Sequence, residues 1–379
     1  MPHTLVVVGG GVIGLGIAWR CAQRGVHVTV MDAAPGRGAS AAAAGMLAPV
    51  TELHYGEQEL LGLNLASARR YPDFVAELED ATGQNVGYRR TGTVVAAWDT
   101  ADVIGLRDLQ TFGASVGVRS QLLSARELRR LEPGLASGLP GGLFAQDDHQ
   151  VDNRALHAAL RTAATRCGVH IELSNAASLL LAGERVTGVT ASGRERHNAD
   201  HVVLAAGAWS GRLAGLTPQI RPPVRPVKGQ TVRLRLPDPP ALAHVVRGSV
   251  KGSPVYLVPR TNGEIVVGAS SEEVGFDVRP RAGAMYELLR DAQSLVPVVG
   301  EAEFVEVSTS VRPGSPDNAP IIGRAAIDGL IMATGHYRNG ILLTPITADA
   351  VASLVCDNVL PEVVEPFTPA RFEQIRITA

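Results

Sequence analysis

The chain has 379 residues, with 35 Lys and Arg against 37 Asp and Glu, a net charge of −2 and 45% hydrophobic residues. This is ordinary globular composition, long enough for two domains, and its near-neutral balance points to neither nucleic acid nor an anionic membrane as partner. No apolar run approaches the ~20 residues that span a bilayer, and the first strand starts too early to leave room for a signal peptide. Cys21, Cys167 and Cys356 form no CxxC and read as buried free thiols, which suits a reducing cytoplasm. The histidines show no metal-ligand spacing.

The first stretch organises the rest. Thr4–Val8 is a short apolar run that leads into Gly9-Gly10-Gly11-Val12-Ile13-Gly14. An amphipathic segment, Leu15–Gln23, follows, and then a second apolar run, Val26–Met31, that ends on Asp32. The pattern predicts strand, tight turn, helix and strand, with an acid at the second strand tip. Gly9 permits the turn, Gly11 lets a pyrophosphate approach the backbone, and Gly14 lets the helix pack close to the strand. The helix start offers free N–H groups to phosphate, and Asp32 offers an acceptor to a ribose. This is a dinucleotide-binding pattern that leaves NAD and FAD both open.

Residues 36–49 are dominated by Gly, Ala and Ser. They suit either an alanine-rich helix start or linker, or a backbone lying against a flat ring and donating N–H groups to it. Glu52–Ala81 predicts one or two helices, Thr91–Ala97 a strand, and Ser124–Leu131 a helix opened by a Ser124/Glu127 capping box. Asp152 is placed to cap a helix over Asn153–Arg166, followed by a strand at Val169–Leu173 and a hairpin through Ser178–Leu181 and Val186–Thr190. His201–Leu204 reads as a buried strand that runs into the tiny residues Ala205–Ala208, a second turn suited to close cofactor approach.

From Pro222 the texture becomes that of antiparallel strands, at Gln230–Leu236, Val255–Val258 and Glu264–Ala269. A helix is expected over Ala282–Ser294, a strand over Phe304–Arg312, and a last strand, Leu330–Ala333, before the turn Gly335–Gly340. A helix over Ile341–Cys356 closes the fold, with its start presenting N–H groups to negative charge.

Taken together, VVGGGVIG (7–14), SAAAAGML (40–47), VVLAAGAWS (202–210) and GHYRNGILLTP (335–345) make the chain resemble the D-amino-acid oxidase family of FAD-dependent enzymes. Within that family it is similar to the glycine oxidases of thiamine biosynthesis. PVKGQ (226–230), YLVPR (256–260), VVGAS (266–270) and VRPGSPDNAPIIG (311–323) support the resemblance, which covers nearly the whole chain. It implies an α/β fold: a Rossmann-like, glutathione-reductase-type FAD domain and a mixed, largely antiparallel-sheet substrate domain. The FAD domain is expected over 1–85, 145–220 and 325–379, and the substrate domain over 86–144 and 221–324.

By the same resemblance FAD is held by Gly9, Gly11, Val12, Ile13, Gly14, Asp32, Ala33, Ser40, Ala44, Gly45, Met46, Ala177 and Gly207, and by His336, Tyr337, Arg338, Asn339, Gly340, Ile341 and Leu342. Arg312 becomes the substrate carboxylate clamp, with Tyr256 and Arg338 beside it. A guanidinium fork suits that task because it binds a carboxylate bidentately and keeps its charge. The implied reaction is hydride transfer from the Cα of glycine, sarcosine or a small D-amino acid to flavin N5. Imine, then glyoxylate and ammonia, would form, and O₂ would be reduced to hydrogen peroxide, in a cytoplasmic homo-oligomer, dimer or tetramer.

A D-amino-acid or imino-acid dehydrogenase that passes electrons to a quinone is the alternative. Pro254 and Ser271 replace residues common at the substrate end of relatives. No Lys stands near the strand Ile265–Val267, unlike in sarcosine oxidases. His336 is the sole Cys or His in the expected flavin-contact blocks, so noncovalent FAD is expected.

Overall fold

The computed structural model describes residues 3–236 and 242–372. The opening stretch folds as the spacing predicts: strand Thr4–Val8, helix Val12–Gln23 and strand His27–Met31, with the first and third side by side and parallel. Gly9 takes φ +114, and a Cβ at Gly14 would run into the Gly9 carbonyl, so the helix can pass this close only without one.

These strands are the centre of a six-stranded sheet. Its order is Ile321–Arg324, Leu330–Thr334, His201–Leu204, Thr4–Val8, His27–Met31, His170–Glu172. All pairings are parallel except that of Ile321–Arg324 with Leu330–Thr334. The sequence boundary assigned 321–324 to the substrate unit, but its backbone completes the edge of this sheet instead. On one face, helices Val12–Gln23, Gln58–Thr82, Asn153–Arg166 and Thr344–Cys356 enclose a core that includes Leu15, Ile17, Trp19, Tyr71 and Phe74. On the other face lies the antiparallel meander Ala176–Ala182, Arg185–Ala191, Arg196–Asn198, which buries Leu179, Val186 and Val189 against Val6 and Val8.

A second, eight-stranded sheet stands beside the first. Its order is Glu303–Gly314, Arg225–Arg235, Glu264–Gly268, Ser253–Pro259, Val245–Val250, Thr93–Ala97, Gly141–Ala145, Gln121–Ser124. Every pairing is antiparallel except Thr93–Ala97 with Val245–Val250, the seam between two stretches distant in sequence. Helix Ala282–Leu295 packs Leu288, Ala292 and Leu295 onto this sheet.

The helix caps follow the sequence. Ser124 and Glu127 form the reciprocal capping box, Asp152 accepts from the Arg154 and Ala155 amides, and Gly83 closes Gln58–Thr82 in the left-handed region. The closing helix starts at Thr344 rather than Ile341, because residues 340–343 form turns before it. All three cysteines are free, but only Cys21 is buried. Cys167 is exposed at the end of its helix and Cys356 is half-buried. No helix among the described residues is long and apolar enough to cross a membrane.

Candidate active site

A cavity of about 750 Å³ runs between the two sheets, from the first glycine turn to the strand that carries Arg312. Gly9, Gly11, Val12, Ile13, Asp32, Ala33, Ser40, Ala44, Gly45, Met46, Gly207, His336, Tyr337, Arg338, Asn339, Gly340 and Ile341 all line it, and so do Tyr256 and Arg312. Three expected residues do not. Gly14 sits behind the turn, where its missing side chain lets the helix pass the Gly9 carbonyl. Leu342 is buried in the helical layer, where its carbonyl accepts from Ser67 Oγ at 2.6 Å. Ala177 is exposed, and its neighbours Asn175 and Ala176 reach the cavity in its place.

The glycine-turn end is built for an extended anion. Asp32 Oδ2 accepts from the Gly10 amide at 2.7 Å and Oδ1 from the Ala34 amide at 2.8 Å, which fixes the carboxylate at the strand tip. Ser40 Oγ accepts from Val12 N at 3.1 Å and ties the small-residue stretch to the helix start. His157 Nε2 lies 2.8 Å from the Gly10 carbonyl and holds the turn from behind. The carbonyls of the small-residue stretch are held as well: Asn153 Nδ2 donates to Ser40 O at 2.7 Å, and Thr231 Oγ1 donates to Ala42 O at 3.2 Å. Small side chains, a left-handed Gly45 and a dipole-bearing helix start leave a long, flat-walled slot that fits a dinucleotide carrying a ring system.

The other end carries charge. Arg312 Nη1 donates to the Ser270 carbonyl at 3.1 Å, while a Cβ added at Gly229 or at Gly268 would collide with the Arg312 guanidinium or the Tyr256 hydroxyl respectively. These two glycines therefore make room for the two side chains. Burial pushes the Tyr256 hydroxyl up, against the pull of the Arg312 guanidinium, so it remains a donor at neutral pH.

Glu52 also lines the cavity. Its Oε1 lies 2.6 Å from Arg247 Nη1 and its Oε2 3.8 Å from Arg338 Nε. Burial alone would raise the Glu52 carboxyl, but Arg247 and Arg338 outweigh it and hold the group below its usual range. Arg338 also places Nη2 3.2 Å from His54 Nε2. The segment that bears Glu52 is fastened by the fully buried Asp148, which accepts from the Val50 amide, the Thr51 amide and Thr51 Oγ1. Burial pushes the Asp148 carboxyl up to about 6.

His336 is almost fully buried. Its Nε2 lies 3.1 Å from Thr347 Oγ1, and burial pushes the ring down to about 3, so it is neutral.

Pro254 and Ser271, expected at the substrate end, are both exposed and line no part of the cavity. Glu52, Gly229 and Thr231 do line it and were not singled out by the sequence. Gly229 carried a signal, since a glycine inside a strand marks a close approach by another group. Glu52 carried none, because its place depends on Asp148, distant in sequence.

The model of the FAD dependent oxidoreductase family matches residues 4–354. The bifunctional protein ThiO/ThiG of Synechocystis sp. is 36% identical over 97% of this chain, which spans about half (54%) of that relative's length. The glycine oxidase of Geobacillus kaustophilus is 35% identical over 93% of both chains, and its crystal structure superposes with a TM-score of 0.89, covering 97% of this chain and 98% of that one. The hydrogen cyanide synthase subunit HcnC of Pseudomonas aeruginosa is 30% identical over 98% of this chain and 96% of its own. The chain belongs to the FAD-dependent oxidoreductase family typified by D-amino-acid oxidase, and FAD is its cofactor.

Proposed function

We propose that this enzyme oxidises glycine, with sarcosine and small D-amino acids as lesser substrates, to the imine that hydrolyses to glyoxylate and ammonia. The observation that carries this reading is the placement of the Arg312 guanidinium, over Gly229 and beside Tyr256, at the end of the cavity remote from the glycine turn. The likeness to glycine oxidase and to ThiO/ThiG supports it, and a role in thiamine thiazole synthesis is part of the same proposal.

In this reading Arg312 binds the substrate carboxylate bidentately, and Tyr256 donates its hydroxyl to the same group. Arg338 borders that end, paired with Glu52 and with Nη2 against His54 Nε2. The clamp fixes the Cα relative to the cavity floor, so the chain's contribution is positioning and electrostatics. FAD, when bound, supplies the two-electron acceptor for the Cα hydride, and O₂ finally takes the electrons as hydrogen peroxide. FAD is held by the glycine turn, the small-residue stretch and residues 336–341, without a covalent link. His336, the one residue in those blocks suited to such a link, has Nε2 turned to Thr347.

The test is purified protein mixed with glycine while flavin absorbance and peroxide are followed. Bleaching with stoichiometric peroxide is expected, and no bleaching with any small amino acid would reject the reading. A second reading is a dehydrogenase of the same fold that delivers electrons to a quinone. Anaerobic reduction by glycine followed by mixing with O₂ separates the two: an oxidase reoxidises at once, a dehydrogenase slowly.

A further inference from the structure

Arg260, which ends the YLVPR block, is 8% exposed and does not line the cavity. It lies behind the small-residue stretch. Its Nη2 donates to the Ala44 carbonyl at 2.7 Å and its Nη1 to the Val151 carbonyl at 3.2 Å. Asn153 Oδ1 lies 3.3 Å from Nη2, Gln150 Oε1 accepts from Nη1 at 3.3 Å, and Asp152 Oδ2 lies 3.6 Å from Nε. Burial pushes this guanidinium down to about 10, against the pull of Asp152, so it stays charged at neutral pH.

The contact with Ala44 has a consequence one peptide group further on. In a planar trans peptide the carbonyl and the following N–H point in opposite directions. With the Ala44 oxygen turned back to Arg260, the Gly45 N–H faces the cavity that Gly45 lines. Among the described residues no protein acceptor meets that amide. Gly45 has φ +75, and a Cβ there would run into the Val151 carbonyl, so the orientation is locked from the other side as well. Ala44 and Met46 pack in one cluster with Tyr256 and Val258, which puts this amide at the Tyr256 end of the cavity. A charged donor on the carbonyl draws density through the amide and strengthens its N–H as a donor.

We propose that Arg260 is a positioning residue that aims and polarises the Gly45 N–H toward an acceptor atom of the flavin ring, and thereby raises the potential at which the cofactor accepts electrons. Donation to a ring carbonyl oxygen favours the electron-rich, reduced form, so its loss lowers the potential. This inference rests on FAD binding and not on the identity of the amine.

The experiment compares the holoenzyme with Arg260→Met and Arg260→Lys by flavin midpoint potential, visible spectrum, FAD dissociation constant and thermal melting. For Arg260→Met the potential is expected to shift negative and FAD to bind up to about tenfold more weakly, as for loss of one ordinary hydrogen bond. Arg260→Lys is expected to recover part of both. A lower melting temperature with an unmoved potential and spectrum would assign Arg260 a purely structural role and overturn the proposal. If Arg260→Met does not fold, the wild-type chain decides. Exchange of the Gly45 amide proton is expected to slow at least about tenfold when FAD is restored to stripped protein. An equal rate with and without FAD overturns the proposal.

Discussion

Gly229 lies under the guanidinium of Arg312. It stands two residues along its strand from Val227, the cross-strand partner of Arg312, so the two share one face of the sheet. A single methyl at 229 must displace the clamp. Gly229→Ala is therefore expected to raise the KM for glycine about tenfold, the scale of a local overpacking penalty, while FAD stays bound. Steady-state kinetics alongside the flavin spectrum checks it, and an unchanged KM would mean that Gly229 does not set the position of the clamp.

Removing the guanidinium itself is harsher. Arg312→Ala is expected to weaken glycine binding by roughly 2–5 kcal/mol, because the carboxylate loses its charged partner in a desolvated site. Arg312→Lys should recover little, since an ammonium cannot make the paired contact. Anaerobic titration of the flavin spectrum with glycine, or with a simple carboxylate inhibitor, reads this directly.

Glu52 offsets Arg247 and Arg338 at the same end. Glu52→Gln leaves those two cations without their carboxylate, so binding of small monocarboxylates should tighten several-fold at low salt and lose that gain at high salt. Inhibitor constants at two ionic strengths test this; equal constants for the two proteins would mean that Glu52 has no electrostatic reach into the cavity.

The cofactor should leave without bond cleavage. Acid precipitation is expected to release the yellow colour into the supernatant. A Cβ at Gly11 would stand 3.1 Å from Ser40 Oγ, so the side chain of Gly11→Val presses on that hydroxyl and enters the slot. This variant should give colourless protein. Colour retained in the pellet, or a yellow Gly11→Val protein, would contradict these outcomes.

His336 supplies a pH signature. Its folded-state value of about 3 lies below the ordinary 6.5, so between those limits the unfolded chain binds one more proton than the native one. Its contribution to stability is complete above 6.5 and is lost as pH falls towards 3, with a slope of at most about 1.4 kcal/mol per pH unit. His336→Gln, which keeps a polar group near Thr347, should flatten the fall of melting temperature from pH 6.5 to 4. An identical slope in both proteins would show that the ring does not titrate on unfolding.

Local rules in the sequence carried much of the architecture. The glycine turn, the Ser124 and Asp152 caps and the hairpin over 176–191 each depend on residues close in the chain, and they fold where spacing and turn chemistry placed them. Helix Thr100–Ser115 escaped because its periodicity is weak: only Leu106 and Gly113 are buried, and the Asp99/Asp102 capping box is its clearest mark. Strand Gly141–Ala145 opens with two glycines, which are poor strand formers, and is held by partners on both sides. In the site, the glycine turn was legible because Gly9 and Gly14 each have a local steric duty. Glu52 and Arg247 were not, since their pairing exists only once the loop pinned by Asp148 meets the strand Val245–Val250.

The cavity between the sheets takes walls from Val8 at one extreme of the numbering and Ile341 at the other. On a ribosome, then, the nucleotide has nowhere complete to dock until the chain has emerged as far as Ile341. Flavin loading waits on that point, and nascent chains stalled before the strand Leu330–Thr334 and the turn after it should emerge uncoloured.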